Sequence, residues 1–218
     1  MATKSDSKNG DKTATLPRKA VYRLSIYLRC LQTLRDNEVE TVSSEALAKA
    51  AGVKSTQLRK DLGYVGQFGT RGLGYNVETL SVEITKTLGS TRLQPVVLIG
   101  VGNLGSALLR YGGFQKQGFE IVAAFDERPE TVRKSALHGG IELHHSDDLE
   151  GFIQKNGVKM AILAVPGPAA QEVANHIVHA GVQAVLNFSP TVLQVPADVT
   201  VNNVDLAAEL ESLSYFVR

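Results

Sequence analysis

The segment that decides the fold reads Pro-Val-Val-Leu-Ile-Gly-Val-Gly-Asn-Leu-Gly, residues 95–105. Residues 95–99 are apolar and largely β-branched, which predicts a buried strand. Gly100, Gly102 and Gly105 follow in a GxGxxG pattern, and a helical pattern comes next. A strand, a glycine loop and a helix in this order predict the first unit of a dinucleotide-binding α/β sheet.

Each glycine has a mechanical role in this interpretation. Gly100 permits the tight turn, Gly102 lets the backbone approach a pyrophosphate, and Gly105 packs helix on strand. A second strand, residues 120–125, ends at Asp126, whose carboxylate is predicted to bind ribose hydroxyls and to repel a 2′-phosphate. This favours NADH/NAD+ as the cofactor. The predicted contacts are Gly100, Val101, Gly102, Asn103, Leu104, Gly105 and Asp126. The alternative is a glycine turn that has lost its ligand or binds another nucleotide, such as CoA.

The remaining second half alternates strands and helices. Strands are predicted at 141–143, 160–165, 184–188 and 199–201, and helices at 147–154 and 169–180. This order predicts a doubly wound parallel sheet with its ligand crevice at the carboxyl ends of the strands. Val165, Pro166, Phe188 and Ser189 follow two of these strands and are predicted to line the nicotinamide side. Proline-bearing turns are equally common as simple strand ends.

The first part of the chain predicts three helices. Pro17 suits the first turn of a long amphipathic helix. Ser43 is the predicted N-cap of a short second helix, which Gly52 ends, and Ser55 is the predicted cap of a third helix that runs through Leu62. Two helices joined by a short glycine turn predict a helix-turn-helix.

The third helix carries side chains that read bases or bind phosphates in the major groove. A glycine-rich segment, residues 63–75, predicts a small β-hairpin, or wing, after it. The predicted DNA contacts are Ser55, Gln57, Arg59, Lys60, Gly69 and Arg71. The alternative is that the polar side chains of the third helix form only a solvated face and do not contact DNA.

Charge supports a DNA-binding first half. Residues 1–75 carry 13 Lys and Arg against 7 Asp and Glu, whereas residues 76–218 carry 10 against 15. Cys30 is the single cysteine, which excludes an internal disulfide and fits a cytoplasmic setting. Residues 1–15 are polar and predict a disordered leader, and no apolar run approaches the length of a membrane span.

The end of the chain predicts one more amphipathic helix, capped by Asp205. Its apolar stripe consists of Leu206, Leu210, Leu213 and Val217. Such a stripe needs a partner surface. Packing on its own sheet and packing across a subunit interface, including a domain swap, are both open.

Three motifs together resemble the Rex family of redox-sensing transcriptional repressors. They are Arg-Lys-Asp-Leu at 59–62, Gly-Thr-Arg-Gly-Leu-Gly-Tyr at 69–75 and the glycine loop at 100–105. The resemblance implies a homodimer of winged-helix and Rossmann units with a swapped C-terminal helix. It implies binding to a two-fold symmetric operator that NADH reverses. It also implies that Tyr111 lies at the nicotinamide and that Asp205 pairs alternately with Arg29 and Tyr111 as a switch.

The resulting organisation has four parts: a leader (1–15), a winged-helix domain (16–80), a Rossmann domain (81–203) and a dimerisation helix (204–218). An NAD-dependent dehydrogenase is the enzyme alternative, but it needs a substrate domain and an oriented acid or base. The histidines are interpreted as surface or structural residues, and no catalytic or metal site is predicted; they are His138, His144, His145, His176 and His179. A DNA-binding regulator that responds to another nucleotide is the third possibility.

Overall fold

The computed structural model describes residues 16–70, 72–89, 91–133, 137 and 140–217. The predicted leader, Arg71 and His138 lie outside the described residues. The chain divides into two compact units, Met1–Thr91 and Arg92–Arg218. The boundary expected between residues 80 and 81 falls inside a helix, Val77–Thr87, which belongs wholly to the first unit.

The described residues of the first unit form four α-helices and a two-stranded ladder. They are α1 (Arg18–Asp36), β1 (Thr41–Val42), α2 (Ser44–Ala50), α3 (Ser55–Leu62), β2 (Tyr75–Asn76) and α4 (Val77–Thr87). One apolar cluster holds them together, with Leu24 and Tyr27 of α1, Leu58 of α3 and Leu80 of α4 all fully buried. Helices α2 and α3 are the predicted helix-turn-helix.

The caps of α2 and α3 differ. Ser43 caps α2 as predicted, because its Oγ accepts a hydrogen bond from the backbone N–H of Ala46 at 3.1 Å. The predicted cap of α3 is wrong by one residue, since Lys54 is the N-cap and Ser55 is the first helical residue. The Ser55 hydroxyl instead accepts a hydrogen bond from Arg59, one turn further along α3.

The predicted wing is shorter than a complete hairpin. Among the described residues between 63 and 75, one antiparallel bridge forms, between Thr70 and Gly74. The strand that follows, β2, pairs with β1. Gly74 has a φ of +86°, and a Cβ there would lie 2.3 Å from the Val42 carbonyl oxygen. Glycine is therefore required for the wing to approach β1 this closely.

A six-stranded parallel sheet forms the second unit and confirms the doubly wound prediction. Its strands are β3 (Gln94–Ile99), β4 (Phe119–Asp126), β5 (Glu142–His145), β6 (Met160–Leu163), β7 (Ala184–Asn187) and β8 (Thr200–Asn203). Their order is β5-β4-β3-β6-β7-β8. The order reverses between β3 and β6, so the ligand crevice of such a sheet lies at the carboxyl ends of these strands.

Five α-helices complete the second unit in the part of the chain that the structure describes. They are α5 (Asn103–Leu109), α6 (Gly113–Lys116), α7 (Leu149–Asn156), α8 (Gly167–His179) and α9 (Leu206–Ser214). The strands and helices predicted between residues 95 and 201 agree with the structure to within two residues. The short helix α6 was not predicted, since it begins at the second of two adjacent glycines, Gly112 and Gly113, which have low helix propensity.

The last helix, α9, is capped as predicted and leaves its apolar stripe exposed. Asp205 Oδ1 accepts hydrogen bonds from the N–H groups of Ala207 and Ala208, each at 3.0 Å. Leu206, Leu210 and Leu213 are 61%, 68% and 60% exposed. Packing of α9 on its own sheet is therefore not the arrangement within this chain. Among the described residues, no helix is both long and apolar enough to cross a membrane.

Candidate nucleotide site and candidate DNA interface

A cavity of about 840 Å³ opens at the carboxyl ends of β3, β4, β6 and β7. It brings together most of the residues predicted to bind the cofactor. They are Gly100, Val101, Gly102, Asn103, Leu104, Asp126, Val165, Pro166 and Phe188. The volume lies in the range of small-molecule sites in proteins.

The three glycines of the loop meet different constraints. Gly100 is buried with a φ of +92°, and a Cβ there would lie 2.6 Å from the Ala164 carbonyl oxygen. A Cβ at Gly105 would lie 1.9 Å from the Gly100 carbonyl oxygen, whereas one at Gly102 would meet no atom within 4 Å. Packing therefore does not require glycine at position 102, and Gly102 borders the open space of the cavity.

Asp126 is bonded to the glycine loop. Its Oδ2 accepts a hydrogen bond from the Val101 N–H at 2.8 Å, and its Oδ1 accepts one from the Arg128 N–H at 2.9 Å. A carboxylate has about four acceptor positions, so both oxygens can still accept hydrogen bonds from ribose hydroxyls. Asp126 thus orients the loop, a role that sequence spacing did not indicate, and its ribose contact stays a prediction.

Basic side chains line the same cavity. Arg110, Arg128 and Arg133 all contribute to its wall, together with Glu127. Arginine binds phosphate oxygens through paired N–H donors, which suits the diphosphate of a dinucleotide. Arg110 and Arg133 lie outside the glycine motif and were not predicted from the sequence.

Two residues predicted at the nicotinamide, Tyr111 and Ser189, are not part of the cavity wall, and neither is Gly105 of the glycine loop. Tyr111 is 60% exposed and its ring makes an edge contact with Phe114, with 5.0 Å between ring centroids. Ser189 is buried, and its Oγ has no hydrogen-bond partner among the described residues. Their places at the nicotinamide therefore stay predictions.

A buried asparagine shapes the loop after β7. Asn187 Nδ2 donates to the Thr191 carbonyl oxygen and to Asn203 Oδ1, at 2.8 and 2.9 Å, and its Oδ1 accepts from the Ser189 N–H at 3.0 Å. These bonds tie the loop that carries Phe188 to the neighbouring strand β8. The sequence placed Asn187 only in a strand and gave no sign of this role.

The described histidines lie away from this cavity wall. His176 Nδ1 contacts Glu150 Oε1 at 2.5 Å across α7 and α8, and His145 Nδ1 accepts from the Asp147 N–H. His144 stacks on Phe125. Among the described residues, no group of three or more His, Cys, Asp or Glu side chains is placed to hold a metal ion.

The exposed face of α3 carries two of the predicted DNA contacts. Arg59 and Lys60 are exposed. The Arg59 guanidinium donates to Ser55 Oγ at 3.2 Å and to Glu45 Oε1 at 3.4 Å. Glu45 of α2 therefore helps to hold the Arg59 side chain in place. Gly69 is exposed in the wing, on the rim of a groove that Arg59 also lines.

Beneath this face lies a polar group that we name the Asp61 cluster, consisting of Arg23, Tyr27, Gln57 and Asp61. Tyr27 and Asp61 are buried, and Arg23 and Gln57 are half-buried. Arg23 donates to Asp61 through Nε at 2.5 Å and Nη2 at 2.7 Å. The Tyr27 hydroxyl and Gln57 Nε2 each donate to it at 2.8 Å. The carboxylate is therefore fully hydrogen-bonded in the core.

The pKa values of the Asp61 cluster reflect these bonds. Burial by itself would raise the pKa of Asp61, but hydrogen bonds from Arg23, Tyr27 and Gln57 outweigh it and hold that pKa below its ordinary value. The bond to Asp61 raises the pKa of Arg23. Burial and then the bond to Asp61 raise the pKa of Tyr27. Asp61 is ionised and Tyr27 is neutral at physiological pH.

The three predicted switch residues are divided between the units. Arg29 is an exposed residue of α1 in the first unit. Tyr111 follows α5, and Asp205 caps α9, in the second unit. Their pairing stays a prediction.

Two family models match the chain, one in each unit. The model described as "Putative DNA-binding protein N-terminus" matches residues 15–63, and the model described as "CoA binding domain" matches residues 91–191. The first match covers α1 to α3, and the second covers the glycine loop and Asp126.

Full-length relatives and solved structures are also similar to the chain. The redox-sensing transcriptional repressor Rex of Streptomyces coelicolor is 47% identical over 99% of this chain and 83% of its own length. The protein of the same description from Syntrophobacter fumaroxidans is 45% identical over 94% of this chain and 97% of its own length.

The crystal structure of RSP in complex with β-NAD+ and operator DNA matches with a TM-score of 0.84 and 36% identity, over 94% of this chain and 93% of that one. The structure of RSP in complex with β-NADH matches with a TM-score of 0.80 and 35% identity, over 94% and 95%. These relatives are repressors, which favours the predicted regulator over the dehydrogenase. At 47% identity across 99% of its length, the chain belongs to the Rex family of redox-sensing transcriptional repressors.

Proposed function

We propose that this protein represses transcription in response to the NADH/NAD+ ratio, with its first unit on operator DNA and a nicotinamide nucleotide in its second unit. The observation that carries the nucleotide part is the cavity at the reversal of strand order, where Asp126 is bonded to Val101 of the glycine loop. The cited structures of RSP with β-NAD+, β-NADH and operator DNA support both parts.

In this proposal the pyrophosphate lies over Gly102, and Asp126 accepts hydrogen bonds from the adenosine ribose. The remaining loop residues, Gly100, Val101, Asn103, Leu104 and Gly105, form the turn and the start of α5. Val165, Pro166, Phe188, Ser189 and Tyr111 are proposed at the nicotinamide. Arg110 and Arg133 are additional cavity residues of suitable charge for the diphosphate.

On the DNA side, α3 is proposed to enter the major groove. Arg59 and Gln57 are suited to guanine and adenine, Lys60 to phosphate, and Ser55 to either backbone or base. The wing, with Gly69 and Arg71, is proposed to contact the adjacent minor groove. The surplus of basic residues over residues 1–75 supports an anionic partner.

We further infer a homodimer in the cytoplasm. The exposed apolar stripe of α9 supports an interface with a second copy, and Cys30, the single cysteine, suits a reducing compartment. A dimer supplies the two-fold symmetry with which helix-turn-helix proteins bind paired half-sites.

The switch is proposed to be a population shift between a DNA-compatible and a DNA-incompatible dimer, with NADH favouring the second. Asp205 would pair with Arg29 in one arrangement and with Tyr111 in the other. Moving the population almost completely requires NADH to prefer one arrangement by about 5 kcal/mol.

Separate titrations of NADH, NAD+ and CoA into the protein–DNA complex test this function. The duplex is the one that the wild-type protein selects from a random pool. NADH should release DNA at a lower concentration than NAD+, and CoA should have no effect. Equal potency of NADH and NAD+ would contradict redox sensing. Release by CoA alone would support the regulator of another nucleotide that the "CoA binding domain" match leaves possible.

A further inference from the structure

The Asp61 cluster connects the buried core of the first unit to its proposed DNA-reading face. Tyr27 is 0% exposed and Asp61 is 1% exposed. Gln57 is half-buried, and it lies three positions before the exposed Lys60, on the same side of α3. The cluster therefore reaches from a tyrosine that no DNA can touch to a side chain at the edge of the exposed face.

The ionised carboxylate fixes which end of the Gln57 amide faces the core. A carboxylate only accepts hydrogen bonds, so the atom of Gln57 that lies 2.8 Å from Asp61 Oδ1 must be the amide nitrogen. The second N–H of that nitrogen can still donate a hydrogen bond, and the carbonyl Oε1 can still accept one. One donor and one acceptor on a single amide are the pair that reads adenine in the major groove.

Holding this amide in advance has a physical benefit for recognition. A long side chain loses rotamer freedom when it is fixed at an interface, and that loss weakens binding. In this chain the bond to Asp61 restrains Gln57 before DNA arrives, and Arg23 and Tyr27 in turn fix Asp61. The two bonds from Arg23 also join α1 to α3, and they help to fix the position of α3 on α1.

We propose that Asp61, Tyr27 and Arg23 are positioning residues for operator recognition, and that they act by holding the amide of Gln57 in its base-reading orientation. This proposal rests on the proposed binding of operator DNA by α3. It assigns to Gln57 the choice of one base pair in each half-site. It assigns to the buried Tyr27 hydroxyl an effect on DNA sequence preference without any contact with DNA.

Tyr27→Phe is the decisive variant because it removes one hydroxyl and keeps the ring in the core. Arg23→Lys is the second variant, since it keeps the positive charge and loses the paired bonds. Tyr22→Phe, on an exposed neighbour of the same helix, is the matched control. Two further variants are Gln57→Ala and the Tyr27→Phe/Gln57→Ala double variant. Each full-length variant selects from the same random duplex pool as the wild type.

Preference at each base pair, affinity for a non-specific duplex and thermal stability are then measured. Gln57→Ala should lower discrimination at one position of each half-site by about tenfold. Tyr27→Phe and Arg23→Lys should lower it at the same position by about threefold, in proportion to one lost hydrogen bond. The double variant should resemble Gln57→Ala alone, and the affinity of all variants for the non-specific duplex should stay within about twofold of wild type.

Loss of thermal stability in Tyr27→Phe with an unchanged base-preference profile would overturn the proposal and leave the cluster a purely structural feature. A changed preference at a position that Gln57→Ala does not affect would also overturn it. The wild-type protein provides the separate check on the underlying function. If it selects no duplex from the pool, the proposed DNA binding is wrong. If the wild type is selective and the variants lose discrimination at the position that Gln57→Ala affects, the positioning role is supported.

Discussion

Gly105 touches Gly100: a Cβ on Gly105 would lie 1.9 Å from the carbonyl oxygen of Gly100. The start of α5 therefore packs against the end of β3 at a separation that no side chain permits. Gly102, between them, has open space instead. The two positions of one motif serve separate purposes, and substitution distinguishes them.

Alanine at Gly105 should destabilise the second unit, by about 3 kcal/mol, because the new methyl group overlaps the backbone. Alanine at Gly102 should leave thermal stability nearly unchanged and weaken NADH binding at least about tenfold, because the methyl group occupies the space proposed for the pyrophosphate. Thermal melts and NADH fluorescence titration measure the two effects. A stable Gly102→Ala protein with wild-type affinity would contradict the assignment of this loop.

Asp126→Ala should weaken NADH binding and reduce discrimination against NADPH. The substitution removes the ribose acceptors, the negative charge and the bond to the Val101 N–H. We expect a loss in affinity of about tenfold or more, in line with hydrogen bonds to a charged group. Glu120→Ala is the control, since Glu120 is exposed near the other end of the same strand. Equal losses in both variants would show that Asp126 has no special role.

Asp61→Asn should destabilise the first unit at neutral pH by about 3 kcal/mol, because Arg23 keeps a partly buried charge without its partner. The pKa of Asp61 is lower in the folded chain, so ionisation contributes stability above the unfolded-state pKa of about 4. That contribution is lost as the pH falls through the folded-state value.

The stability difference between wild type and Asp61→Asn should accordingly shrink below about pH 4. Urea denaturation followed by circular dichroism between neutral and acidic pH measures it. Asp36→Asn, at an exposed position of the same unit, should show no comparable difference. A difference that stays constant with pH would mean that the Asp61 charge does not stabilise the fold.

Arg59→Ala should abolish specific DNA binding and leave NADH affinity intact. Lys60→Ala should weaken binding to all sequences alike and reduce the salt slope by about one. Gel-shift titrations at several salt concentrations distinguish the two, with Lys49→Ala, exposed on α2, as the control. If Lys60→Ala changes base preference and not the salt slope, its assignment to phosphate is wrong.

Leu210→Asp should convert the proposed dimer to a monomer. Leu210 is 68% exposed in the single chain, so aspartate there costs little in the monomer but places an unpaired charge in an apolar interface. Sedimentation equilibrium measures the change, and Glu211→Asp is a mild control on the same helix. A Leu210→Asp protein with unchanged mass would show that α9 is not the interface.

Local sequence signals predicted the second unit closely. Apolar strands, glycine loops and helical periodicity are short-range patterns, and here they predicted a doubly wound parallel sheet with a crevice at the carboxyl ends of its strands, as the structure has it. The wing was predicted less well. Its glycines indicated a turn, but the partner of β2 is β1, more than thirty residues earlier in the chain, and local pattern does not choose between distant partners.

The sequence alone determined the two-part organisation, the doubly wound sheet and the glycine loop with Asp126 at its edge, because each depends on residue types at fixed local spacing. Tertiary structure decided the contacts between distant residues: Asp126 on Val101, Asn187 on Asn203, and the placement of Gln57 and Arg23 around Asp61. It also decided that the stripe of α9 is left exposed within one chain. Burial and hydrogen-bond partners are properties of the packed chain, which no local spacing contains.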